Sequence, residues 1–460
     1  MAAGAEHTAT ETIVSLDETR RVHVVNVGGA GMSAIATVLA QRGHDVSGTD
    51  AKSTPFVEPL ERLGVDVVIG AANPAAREAD LVVTSTATPA DHPDVVAADD
   101  AGIPVVHRRD ALEAICAERR VVAVAGTHGK STTAAMLATI LDGVEDGSGY
   151  LVGTRVTALG ANADWRRGPG FVVEADESDG TFLRLGATDA IVTNLEADHL
   201  SYWGTEDALV AAFRSFVTGL SGTAILCADD AGSAALVDHA ARVVTYGTAD
   251  GGDPRISDGA PAGIGGAVSH ARAGCAVRVT VPSAPGLHNA RNAAGAIAAA
   301  VASGVDLEAA AAALGAFAGV ARRFEVRGRA GGVTFVDSYD HLPTEVAAAL
   351  SGPFDRVVCV FQPHRYTRTR DLASTFADAF VDADVLGVTD LYPAGEAPID
   401  GVSGRLVHDA VAAAHPAADV RFLGDLDATT EWLVDTLRPG DCCITLNAGD
   451  LPPVPDAGIA

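Results

Sequence analysis

Residues 125–133 read Ala-Gly-Thr-His-Gly-Lys-Ser-Thr-Thr. The apolar run Arg-Val-Val-Ala-Val-Ala at 120–125 leads into this stretch, and a helical pattern leaves it. A strand, a glycine turn and a helix in that order bring backbone N–H groups and the positive end of a helix to phosphate oxygens. In such a turn Lys130 reaches the β- and γ-phosphates, and the Ser131 hydroxyl is a ligand for Mg²⁺. The standard Walker spacing needs a glycine where Val124 stands, so the loop is a shorter one: Gly126, Thr127, His128, Gly129, Lys130, Ser131 and Thr132. A chance glycine turn would not account for Lys-Ser-Thr-Thr at the boundary. A second glycine turn, Gly28, Gly29, Ala30 and Gly31 before Met32 and Ser33, follows the apolar run at 21–27, and Asp50 ends the next one. The pattern suits a nucleotide diphosphate in general. Its spacing departs from the strict dinucleotide fingerprint, and a sharp turn with no ligand remains an alternative reading.

Two carboxylate-bearing stretches end strands of their own. Phe171-Val172-Val173 runs into Glu174, Asp176, Glu177 and Asp179, and Ile191-Val192 runs into Thr193, Asn194, Glu196, Asp198 and His199. Acids at the carboxyl ends of strands lie where open α/β sheets place their sites. Four such acids repel unless they are paired, and a divalent cation is a natural guest. A lone histidine is commonly structural, but His199 ends a strand beside this candidate metal site.

These motifs need a scaffold of parallel strands. Apolar runs alternate with helical patterns through three segments, with borders near 113 and 321, so three α/β units are expected. The helices include 33–42, 290–303 and 307–317, and 247–266 is expected to be loop with at most an edge strand. The 460 residues are 48% hydrophobic and 20% charged, which excludes wholesale disorder. The net charge of −28 argues against coating nucleic acid or an anionic membrane. Six cysteines without a CxxC pair read as reduced, structural thiols in a cytoplasmic protein. Residues 1–18 have no signal-peptide pattern, and no apolar run is long enough to span a bilayer.

Taken together the motifs resemble the Mur ligase family, from about residue 22 to 450. Further matches are Leu287-His288-Asn289-Ala290-Arg291-Asn292, Arg322-Arg323-Phe324-Glu325, the run from Gln362 to Thr369, and Tyr392-Pro393-Ala394-Gly395-Glu396. The Gly-Gly-Ala-Gly-Met turn and Gln-Pro-His-Arg-Tyr-Thr-Arg-Thr resemble the alanine-adding branch. The resemblance implies a Rossmann-like N-terminal domain over 1–113 for a UDP-sugar and a central P-loop-type ATPase domain over 114–321. It implies a second Rossmann-like domain over 322–460 for amino-acid binding and closure. It also implies an ATP-dependent ligase that adds L-alanine to the carboxylate of UDP-N-acetylmuramate through an acyl phosphate, in peptidoglycan precursor synthesis. ATP and Mg²⁺ are the implied cofactors, and a monomer or homodimer the implied state.

Carried over by residue, the resemblance places residues 126–132 on the ATP phosphates, with Asn289, Asn292 and His288 at the adenine side, Arg323 on phosphate and Asp337 at the ribose. Ser131 and Glu174 would hold one Mg²⁺, and Glu174 with His199 a second. Residues 28–33, with Asp50, Ser85 and Thr86, would hold the UDP diphosphate. Tyr339, His341, Arg365 and Arg368 would line the substrate side of the third domain, and Lys130, Glu174, His199 and His341 form the catalytic set. The sequence departs from the family at Asp340 and Leu342, where a small residue and a second histidine are usual, and at Asn26 and Asn447, where glycine is usual. Ser131 replaces a threonine and keeps its hydroxyl. Three further readings stand beside the ligase: a sister enzyme taking another amino acid or a recycled tripeptide, a nicotinamide oxidoreductase using Gly28–Gly31 with Asp50, and a catalytically silent binding protein of ligase ancestry, against which the retained Lys130, Glu174 and His199 argue. The oxidoreductase leaves Lys130 and Ser131 without a role.

Overall fold

The computed structural model describes residues 15, 16, 18, 20–70, 72–143, 147–248, 255–257, 266–270, 275–279, 281, 283, 284, 286–352, 354–451 and 454–456. The readings of 1–18, of most of 247–266 and of the Cys275 thiol lie outside them. The chain makes two compact units. One comprises Met1–Arg255, Ser269–Cys275 and Asn292–Leu314, the other Ile256–Val268, Ala276–Arg291 and Gly315–Ala460.

The first unit begins with a five-stranded sheet of β1 (Arg21–Val25), β2 (Asp45–Asp50), β3 (Asp66–Ile69), β4 (Leu81–Thr84) and β5 (Val105–His107), in the order β3-β2-β1-β4-β5. Every pairing is parallel. β1 is buried along four of its five residues, as a central strand covered on both faces must be. The order reverses between β1 and β4, so a crevice opens where the turn after β1 meets the loop after β4. Asn26 Nδ2 donates to Thr88 Oγ1 at 3.2 Å across that crevice.

A seven-stranded sheet follows, of β6 (Arg120–Ala125), β7 (Gly149–Val156), β8 (Ala161–Asp164), β9 (Gly170–Glu174), β10 (Asp189–Val192), β11 (Ala224–Cys227) and β12 (Val243–Tyr246). Its order is β12-β11-β10-β6-β9-β7-β8. Only β7 and β8 pair antiparallel. The loops after β10, β6 and β9 therefore emerge side by side at one edge, and these carry 193–199, 126–132 and 174–179. The hairpin of β7 and β8 was not foreseen, and the helix Ala30–Gln41 packs against it. One continuous apolar cluster runs from Val24 and Leu39 under the first sheet to Phe171, Val192 and Phe213 in the second. Trp165, just after β8, receives the guanidinium groups of Arg42 and Arg119 over its ring, 4.9 and 3.9 Å from the ring centre. Arg119 also donates to the carbonyls of Arg166 and Gly168.

A buried polar knot fixes the first sheet. His23 and Asp94 are both 0% exposed; His23 meets Ser47 Oγ at 2.9 Å and Asp94 Oδ2 at 3.2 Å. Thr49 Oγ1 and the Asn73 amide donate to the same carboxylate at 2.5 and 3.0 Å. Serine, histidine and aspartate in this order suggest a hydrolase triad, but His23 and Asp94 are fully enclosed and Asp94 is committed to Thr49 and Asn73 as well, so the knot is structural. Burial alone would raise Asp94, and the donors of His23, Thr49 and Asn73 outweigh it to hold the carboxyl below its usual range. Asp94→Ala should therefore cost about 3 kcal/mol, because the donors are left unpaired in the core. Urea unfolding would measure it, and a loss under about 1 kcal/mol would contradict the account.

A small sheet is formed by β13 (Arg255–Ser257), β14 (Gly266–His270) and β15 (Cys275–Val279). The second unit holds a six-stranded sheet of β16 (Glu325–Ala330), β17 (Val333–Ser338), β18 (Val357–Gln362), β19 (Val385–Thr389), β20 (Asp419–Gly424) and β21 (Cys442–Asn447), ordered β16-β17-β21-β18-β19-β20. Only β16 runs antiparallel, against β17. The adjacent cysteines 442 and 443 face opposite apolar clusters, as alternate residues of a buried strand do. Five described cysteines are buried free thiols. Among the described residues no helix is long and apolar enough to cross a membrane.

Candidate active site

The phosphate loop leaves β6 and opens the helix Lys130–Asp142, with Gly129 as its cap at φ +79°. Gly126 has φ +127°, and a Cβ there would collide with Thr193 Oγ1 and the Asn194 backbone, so only glycine fits. The loop after β10 braces it. Asn194 Oδ1 accepts from the His128 amide at 2.8 Å, and Thr193 Oγ1 donates to the His128 carbonyl at 2.6 Å. Thr127 Oγ1 donates to the Glu196 carbonyl and accepts from the Glu196 amide. Asn292 Oδ1 abuts Gly129, 2.6 Å from where a Cβ would stand.

Lys130 Nζ donates to the carbonyls of Gly126 and Thr127 at 2.7 and 3.2 Å and to Glu177 Oε1 at 3.0 Å. Burial works against its charge, but Glu177 and then Asp176 outweigh it and hold the ammonium above its ordinary pKa. Burial would likewise raise Asp176, yet Lys130 and Arg108 bring it down to about 2. Ser131 Oγ donates to Glu174 Oε1 at 2.8 Å, and the Gly153 amide to Glu174 Oε2 at 2.6 Å. A hydroxyl beside a carboxylate is a hard-oxygen pair that suits Mg²⁺, which takes its other ligands from water and phosphate. Among the described residues no three His, Cys, Asp or Glu side chains converge as a metal cluster. The carboxylates nearest the His199 ring are Asp198 at 3.4 Å and Glu177 at 3.9 Å. His199 itself sits at φ +54°, a conformation unusual for a side-chain-bearing residue.

The turn after β1 is also built, though with fewer free groups than the sequence promised. The Gly28 amide donates to Asp50 Oδ2 at 2.9 Å, and Thr54 Oγ1 to the Gly28 carbonyl at 2.8 Å. Asp50 therefore shapes the turn rather than standing free for a ribose. The Gly29 amide is taken by the Asn26 carbonyl. The Met32 and Ser33 side chains are buried, and Asn162 Nδ2 donates to Ser33 Oγ and the Ala30 carbonyl, both at 2.9 Å, so these two side chains pack, and what the turn offers a ligand is backbone. Gly31 stays open toward the Arg108 guanidinium. The Ser85 amide donates to Thr88 Oγ1, and Thr86 Oγ1 reaches His107 at 3.1 Å and Asp179 at 3.3 Å.

In the second unit Asp337 is 0% exposed, and its oxygens accept from Arg322, Thr445 and Asn447 at 3.3, 3.0 and 3.1 Å. A carboxylate so enclosed anchors Arg322 and does not present itself to a ribose. Asn447 also accepts from Arg322, which gives this departure from glycine a structural use. Arg323 lies 5.3 Å from the Tyr339 ring centre and 3.6 Å from the carboxylates of both Asp340 and Glu345. His341 and His364 meet edge to face, and His364 stacks on Tyr392. Burial, with Arg368 and Arg323 nearby, lowers His341 to about 4 against the pull of Glu345, so its imidazole is neutral at pH 7. Arg368 contacts His364 at 3.1 Å, while Arg365 is exposed at φ +69°. Leu342 is buried, and the Glu345 carboxylate accepts the amides of His341 and Leu342. Asn289 Nδ2 contacts His288, which burial lowers to about 4.

Sequence reasoning missed Arg108, His364 and the pairing of Lys130 with Glu177. Glu177 was visible as one of four acids, whereas Arg108 gave no local signal.

Three family models match the chain: "Mur ligase family, catalytic domain" over 21–120, "Mur ligase middle domain" over 124–300, and "Mur ligase, glutamate ligase domain" over 322–449. The chain belongs to the Mur ligase family. Among relatives of this Mur ligase, the UDP-N-acetylmuramate–L-alanine ligase of Paenarthrobacter aurescens is 43% identical over 96% of this chain and 97% of its own. That of Streptomyces coelicolor is 41% identical over 94% and 95%. Among solved structures, the UDP-N-acetylmuramate–alanine ligase of Thermotoga maritima superposes with a TM-score of 0.78 at 26% identity, covering 95% of this chain and 97% of its own. A murein peptide ligase of Psychrobacter arcticus gives 0.71 at 25% identity, with the same coverage.

Proposed function

We propose that this Mur ligase joins L-alanine to the carboxylate of UDP-N-acetylmuramate at the expense of ATP, in the cytoplasm, as a step of peptidoglycan precursor synthesis. The observation that carries the reading is the meeting of Lys130, Ser131 and Glu174 at the carboxyl ends of β6 and β9, in the same unit as a glycine turn suited to a diphosphate. The relatives named alanine ligases support the choice of amino acid.

A carboxylate is a poor acyl donor, and transfer of the ATP γ-phosphoryl group to it creates a leaving group. The L-alanine amine then attacks the acyl carbon, and phosphate departs as the amide forms. Phosphoryl transfer needs positioning and charge neutralisation above all. The first-turn amides of the helix Lys130–Asp142 and the Lys130 ammonium bind and orient phosphate oxygens. Ser131 and Glu174 would hold Mg²⁺, with His199 nearby on the loop after β10. When bound, the ion supplies charge neutralisation at the transferred phosphoryl group. In the second unit, Arg323, Arg365 and Arg368 beside neutral His341 supply positive charge suited to a carboxylate or phosphate.

Phosphate release with ATP, Mg²⁺ and UDP-N-acetylmuramate, with and without L-alanine, tests the reading together with the product mass. Alanine-dependent release and a mass for UDP-N-acetylmuramoyl-L-alanine are expected. Turnover with a tripeptide and none with L-alanine would move the chain to the murein peptide branch, whose Psychrobacter arcticus member shares the fold.

A further inference from the structure

Arg108 lies outside every motif, yet it joins two of them. It opens the helix Arg108–Cys116, where a cation has the unfavourable sign for the helix dipole. Its Nε and Nη2 donate to Asp179 Oδ2 at 3.0 and 2.7 Å, and Nη2 to Asp176 Oδ2 at 2.9 Å. Both carboxylates belong to the loop after β9, whose Glu177 pairs with Lys130. Asp179 is further held by Thr181 and by Thr86 from the first sheet. The remaining nitrogen, Nη1, lies 3.6 Å from the point where a Gly31 Cβ would stand, over the first turn of the helix Ala30–Gln41. No side chain caps that helix, and no acid lies in its first turn. Its amide end and the outer edge of the guanidinium therefore present positive charge to the same space.

We propose that Arg108 is a positioning residue: anchored through Nε and Nη2 on Asp176 and Asp179, it presents Nη1 to an oxygen of the sugar nucleotide's diphosphate above Gly31. The inference rests on the reading of residues 28–33 as a diphosphate turn. A planar fork suits the task, since it can hold a carboxylate along one edge and a phosphate oxygen with the other nitrogen. One side chain thereby ties the substrate that carries the acceptor carboxylate to the loop facing Lys130.

Calorimetric titration of uridine, UMP and UDP into the full chain, with AMP-PNP saturating the ATP site, tests the proposal. The wild type should gain affinity from uridine to UDP. Arg108→Met should lose about 10- to 100-fold in UDP affinity, the worth of a charge-assisted hydrogen bond, while uridine and AMP-PNP stay within about twofold. Arg108→Lys keeps the charge without the fork, so it folds on the same anchors and should still lose about fivefold or more for UDP. UDP binding unchanged in both variants would overturn the assignment. No gain from uridine to UDP in the wild type would instead overturn the diphosphate reading of the turn. AMP-PNP affinity falling in parallel with UDP affinity would show a general loss of structure and also count against a specific role.

Discussion

Lys130→Met should lower the rate of phosphate release about 10³-fold, the scale on which loss of a preorganised charge at a reacting group is felt. The ammonium is held by two loop carbonyls and Glu177, and its charge is preserved despite burial. The same substitution leaves Glu177, which is 1% exposed, without its cation, and a stranded buried charge costs about 3–5 kcal/mol. Two effects are thus superimposed, and Lys130→Met combined with Glu177→Gln separates them. The double variant should recover most of the unfolding free energy and none of the rate. Recovery of the rate along with the stability would mean that Lys130 serves the fold alone.

Glu174→Gln should reduce turnover about 10²- to 10³-fold, several kcal/mol of transition-state charge stabilisation. Glutamine keeps the shape, and its one carbonyl oxygen can accept from the Gly153 amide while its NH2 donates to the Ser131 hydroxyl, so folding is expected to survive. The negative charge that would hold the ion is lost. The Mg²⁺ concentration for half-maximal activity should rise about tenfold or more, while AMP-PNP binding without Mg²⁺ stays near the wild-type value. A magnesium titration that overlays the wild type would remove Glu174 from the metal's ligands.

These two residues were legible in the sequence because their partners lie in contiguous motifs at strand ends. Glycine at 126 and 129, Lys130 and the acids from 174 announce a strand, a turn and a charge within a few residues. The parallel core strands were legible for a similar reason: runs such as Val-Val-Cys-Val-Phe in β18 have both faces buried. The helix at Leu287–Ala302 begins three residues before the expected 290, because Leu287, His288 and Asn289 carry no apolar period. The hairpin of β7 and β8 escaped notice because Gly149–Val156 mixes glycine, threonine and arginine with its apolar residues. Arg108 was illegible because its partners lie 68 and 71 residues away, and only the pairing of whole sheets brings them together. Asp337 misled for another reason. The resemblance alone placed it at a ribose, but Thr445 and Asn447 on the neighbouring β21 close over it.

The apolar cluster that passes from the first sheet into the second, with Arg42 and Arg119 over the Trp165 ring, bears on how such chains can be recombined. Arg119 stands in the short crossover between the helix Arg108–Cys116 and β6, and its guanidinium is committed to carbonyls of residues 166–168. A chimera spliced at that crossover would graft one parent's half-interior onto another's, and every mismatch in volume would fall in a close-packed core. The first two sheets therefore share one interior and should be exchanged together, as a single cassette.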